Sequence, residues 1–74
     1  MPRDIPNLLA LAEERVARSE VHLQKQRAIV ATLRRLGRDT IDAEAILSEF
    51  ARAQARFIDA RDQLRDELEQ IATR

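Results

Sequence analysis

A chain of 74 residues and 8.5 kDa has room for one small domain, expected to span residues 1–74. Its 13 basic and 13 acidic side chains cancel, which argues against a nucleic-acid binder or polybasic membrane binder driven by excess positive charge. With no cysteine, one histidine, one glycine, two prolines and 3% aromatics, the composition speaks against disulfides, thiolate or conventional zinc sites, and a many-turned β fold.

The start Met1–Asp4 lacks the cationic, long-apolar layout of a signal peptide, and no apolar run reaches the roughly 18 residues of a membrane span. A cytoplasmic, all-α protein is expected. Pro2 and Pro6 mark the beginning of a first helix, since proline lacks an N–H that would go unpaired there anyway. Asp4, Ile5 or Asn7 can cap it, and no breaker follows through Leu36, which predicts a helix over about 5–36.

Gly37 fits the position just past a helix end, where a left-handed backbone is cheap only without a Cβ. A turn at 37–39 follows, with Asp39 or Thr40 as the cap of a second helix over about 40–72. Arg34, Arg35 and Arg38 close the first helix, and Asp42 and Glu44 open the second. Both sets carry the sign that the helix dipole favours. So short a connection makes the helices antiparallel neighbours.

Apolar residues recur every seven positions. The first helix carries Leu9, Val16, Leu23 and Val30, with Ile5, Ala12, Ser19, Gln26 and Leu33 as a companion row. The second carries Ala43, Phe50, Phe57, Leu64 and Ile71, with Ile46, Ala53 and Ala60 between them. A repeat held over four heptads predicts a left-handed, coiled-coil-like hairpin. With the turn centred near Arg38, Ser19 faces Phe57 and Gln26 lies near Phe50.

A third row adds Leu8, His22, Ile29 and Leu36 on the first helix, and Leu47, Gln54, Arg61 and Leu68 on the second. A hairpin seam needs only two rows, so Leu8, His22, Ile29, Leu36, Leu47 and Leu68 form the expected self-association surface. A two-helix layer leaves each helix uncovered on one side; a second copy completing a four-helix bundle is the economical remedy.

The candidates for chemistry are few. His22 is the only side chain titrating near neutrality, and its place between Leu8 and Ile29 reads as a half-buried packing residue rather than a metal ligand or proton shuttle. A di-metal bundle wants Glu-x-x-His, and Ser19 stands three residues before His22. Lys25, Arg27, Arg34, Arg35 and Arg38 form a basic stretch that could contact nucleic acid. The alternative is neutralisation across the turn by Asp39, Asp42, Glu44 and Glu49. Ser19 and Gln26 interrupt the core, either setting register or merely flawing it.

Arg52, Arg56, Asp59, Arg61, Asp62, Arg65 and Asp66 alternate in sign, as on a solvated face with i,i+3 and i,i+4 pairs. No nucleophile–base pair, phosphate-cradling loop or paired-carboxylate cleft is discernible, so neither an enzyme nor a cofactor nor a small-molecule substrate is expected. The reading is an interaction module that binds itself and another protein. The runner-up is a regulator touching nucleic acid through the basic stretch.

One segment resembles a known group. Val16-Ala17, Ser19-Glu20, His22-Leu23, Gln26-Arg27, Ile29-Val30-Ala31, Leu33, Gly37 and Asp39-Thr40 resemble short alphaproteobacterial proteins of the pattern V-A-x-G-E-x-H-I-x-x-Q-R-x-I-V-A-x-L-x-x-x-G-x-D-T. The likeness continues more loosely through Ala43–Phe50 and Arg61–Leu64. It implies a bacterial source and a helical hairpin, and it carries no activity across. Ser19 stands where the group tends to have glycine, and Phe57 where histidine is common. Lys25 is the only lysine among many arginines, which fits a GC-rich genome. A designed hairpin is the other origin the heptads allow, although Ser19, His22 and Gln26 are untidy choices for one.

Overall fold

The computed structural model describes residues 3–73, so the expected role of Pro2 lies outside the described residues. Two helices, α1 (Ile5–Arg35) and α2 (Ile41–Ala72), pack against each other as an all-α hairpin. At 1.5 Å per residue, their 31 and 32 residues give matched rods of roughly 46–48 Å. The ends fall within a residue of the expected 36 and 40. Asp4 is the cap of α1, its carboxylate accepting from the Asn7 N–H at 3.3 Å, with Pro6 in the first turn.

The end of α1 follows from one residue. Gly37 has φ +67°, which lets the Arg38 N–H donate to the Leu33 carbonyl at 2.8 Å and the Gly37 N–H donate to the Arg34 carbonyl at 3.0 Å. These two bonds make a Schellman motif and satisfy carbonyls that the helix end leaves unpaired. Thr40 holds the cap position of α2 but makes no side-chain cap bond. Asp39 serves instead, accepting from the Ile41 N–H at 2.9 Å. A Cβ at Gly37 would meet nothing within 4 Å, so a substitution there is opposed by backbone conformation alone. Gly37→Val is expected to lower unfolding stability by at least about 1 kcal/mol in denaturant titration. An unchanged midpoint would show that the turn tolerates another backbone path.

The core is thin. Ile5, Ala12, Leu23 and Val30 are buried, with Ser19 and Gln26 among them, while no residue of α2 is fully buried. Both polar members are satisfied: the Ser19 hydroxyl donates to the Val16 carbonyl at 2.7 Å, and the Gln26 amide donates across the hairpin to the Ala43 carbonyl at 2.9 Å. The Gln26 bond ties one point of α1 to one point of α2. It therefore marks register rather than a flaw in the core.

On α2 the expected order of rows is corrected. Leu47, Gln54, Arg61 and Leu68 are all half-buried toward α1, whereas Ile46 and Ala60 are exposed. The seam thus runs between the phenylalanine row and the Leu47–Leu68 row. Gln54 and Arg61 are tolerated there because their polar ends escape. The Gln54 amide reaches Glu20 at 2.7 Å, and the Arg61 guanidinium turns outward to Asp62 at 3.0 Å while its stem stays in the seam.

Candidate interaction surface

The two flanks of the hairpin differ in chemistry. One carries Glu13, Glu20 and Arg34, which share a heptad row of α1 and meet partners on α2. Arg65 bridges to Glu13 at 3.4 Å, Gln54 donates to Glu20, and Arg34 pairs with Glu44. Hydrogen bonds from Gln54 and then Gln24 hold the Glu20 carboxyl below its ordinary value, with Arg27 adding a smaller pull. Those bonds to the carboxylate are therefore retained at neutral pH and weaken only as acid protonates it.

The alternating charges of α2 do not pair along the helix as expected. Arg65 reaches across to α1 and Arg61 takes its sequence neighbour; the i,i+4 bridge found is Arg18–Glu14 on α1. The other members of that set, Arg52, Arg56, Asp59 and Asp66, are exposed, while Glu67 of α2 takes Arg3 at 2.9 Å.

The opposite flank is apolar and grooved. One part is an open hollow of about 330 Å³ between Ser19, His22, Phe50, Ala53 and Phe57, with Arg15 and Arg18 at the rim. The groove continues past Phe57 to Leu8, Leu11, Ala60 and Leu64 at the open end of the hairpin. Toward the turn a further hollow lies against Ile29, Thr32 and Leu33. It exists because small residues (Ala12, Ser19, Ala53, Ala60) stand beside two phenylalanines, whose rings are left with one face uncovered. Ile29 and Ile46 stand on this flank at 49% and 41% exposure, and Leu36 is exposed at its end.

The expected self-association residues are therefore divided. Leu8, His22, Ile29 and Leu36 fall on the grooved flank. Leu47 and Leu68 do not join them: they belong to the seam row that includes Gln54 and so lean toward the charged flank. Ile46, Ala53 and Ala60 take their place. Sequence reasoning missed these three because the most apolar row of α2 after the phenylalanines looked like the inner one. Val21 and Ile41 are also exposed, but as scattered single residues off the groove.

His22 is exposed rather than half-buried, and its ring lies 6.0 Å from that of Phe50 at a 45° tilt. Ser19 lines the same hollow, yet its hydroxyl is committed to the Val16 carbonyl and makes no bond to His22. No group of three or more His, Asp or Glu side chains able to hold a metal comes together among the described residues.

The basic stretch does not converge on one face. Arg27 and Arg34 share the charged flank, while Lys25, two residues before Arg27, points about 160° away around the helix. Arg34 is paired with Glu44, and the Arg35 guanidinium lies 3.5 Å from the Thr32 hydroxyl. Arg38 is set apart in the turn.

No family model matches the chain, and neither does any curated protein or solved structure. No described helix is long and apolar enough to cross a membrane.

Proposed function

We propose that this chain is a non-catalytic self-association and protein-interaction module, acting as a homodimer in which two grooved flanks close on each other to form a four-helix bundle. The observation that carries this reading is the chemical split of the hairpin. Three cross-helix polar pairs line one flank; the other, apart from the Arg3–Glu67 pair at its open end, exposes an apolar groove along Phe50 and Phe57, with Ile29 and Ile46 exposed beside it.

Surface area supports it. The hairpin exposes 5859 Å², about 1,200 Å² more than the roughly 4,650 Å² of a compact monomer of its mass. A standard interface covers about 800 Å² on each partner, so one pairing removes most of that excess. Shape agrees: the radius of gyration is 17.0 Å against about 11 Å for a compact domain of this length, and the smallest extent, 14 Å, is one helix layer. A second layer gives each helix an apolar neighbour on its open side.

The bacterial, cytoplasmic setting belongs to the same reading, resting on the resemblance over Val16–Thr40. Light scattering at micromolar concentration tests the dimer. Twice the chain mass of 8.5 kDa is expected, and a monomer with a full helical spectrum would overturn the proposal.

A further inference from the structure

Two hairpins can close their grooved flanks about a two-fold axis in two ways. An axis along the helices puts both turns at the same end and sets each α1 against the partner's α2. An axis across the helices puts the turns at opposite ends and sets like helix against like. Both bury similar apolar residues, so packing alone does not choose.

Charge chooses. The chain is neutral overall, but the helices are not: α1 holds six Lys or Arg against three Glu, and α2 holds four Arg against eight Asp or Glu. The asymmetry reaches the lips of the groove. On α1 the exposed rim carries Arg15, Arg18 and Lys25, with one acid beside them, Glu14, bridged to Arg18 at 2.5 Å. On α2 the positions one turn from Ile46 are Asp42 and Glu49, both exposed, and Arg56 is the one base further along that row.

We infer that the dimer is the same-end form, with the basic rim of α1 lying on the acidic rim of the partner's α2. This rests on the self-association reading above. In that arrangement every helix has only oppositely charged neighbours, its own partner in the hairpin and the one across the interface, and like helices meet only on the diagonal. The opposite-end form places two net-positive helices side by side and two net-negative ones likewise. Lys25 then falls near the height of Glu49 of the second copy, about one helical turn closer to the loop than His22 and Ala53. Exposed pairs are individually weak, yet they distinguish geometries of equal burial because like-charge juxtaposition suppresses the wrong pairing.

The absence of cysteine makes the test direct. A single spin label is placed on the full chain at Arg38→Cys in the turn, and separately at Thr73→Cys at the other end, and distances are read by pulsed electron resonance. The same-end dimer gives a distance under about 30 Å at both positions, since packed helices lie roughly 8–10 Å apart and the label arms add the rest. A dimer with both distances near 45 Å, about one helix length, would overturn the register while leaving self-association intact. A monomer by light scattering would remove both.

Discussion

Truncating Leu23 to alanine is expected to cost about 2–5 kcal/mol, the largest loss available from a single side chain in this fold. Leu23 is the most buried residue, at 1% exposure, and it lies midway along α1 between Ser19 and Gln26. Neither polar neighbour can close over the void, because each is fixed by its own hydrogen bond. A domain of this length is typically stable by about 4–11 kcal/mol, so the loss takes a large share of the total. Chemical denaturation followed by circular dichroism measures it. Val21→Ala, at an exposed position two residues away on the other side of the helix, should change stability by less than about 0.5 kcal/mol. Equal effects at the two sites would contradict the core described above.

Placing acids on the grooved flank should have the second large effect, on assembly. Ile29→Glu combined with Ile46→Glu would bring four carboxylates into the proposed interface. Burying an unpaired charge costs several kcal/mol, more than the roughly 1.5–3 kcal/mol gained by burying each isoleucine. The expected result is a species of 8.5 kDa with reduced helicity, since an isolated hairpin fully buries only a handful of residues. Val21→Glu with Ile41→Glu adds the same charge off the groove and should leave the mass at twice that of the chain. If both pairs of substitutions behave alike, the effect is one of general charge, and the grooved flank has no special part in association.

The residues that mattered for the fold were readable in the sequence because they act locally. Gly37 is the only glycine, and a left-handed residue at the end of α1 needs one. Asp4 and Asp39 cap because their carboxylates reach backbone N–H groups two or three residues on. The heptad rows of α1 follow from helix pitch, and the structure buries Ile5, Ala12, Leu23 and Val30 as that periodicity requires.

What only the tertiary structure decided was which side of each seam faces inward. Adjacent heptad rows lie a fraction of a turn apart, and a helix can roll by that much without breaking any local rule. On α2 the roll is set by what α1 offers. Glu20 accepts the Gln54 amide, and the small residues Ala12 and Ser19 leave the phenylalanine rings open on one side. Hydropathy favoured Ile46, Ala53 and Ala60 over Leu47, Gln54, Arg61 and Leu68, and it misled because half-buried polar side chains can place their ends in water or on a partner. The row left outside, with Ile29 and Ile46 on one flank, became the groove. Local chemistry thus determined the hairpin, and packing between distant residues determined the surface it presents.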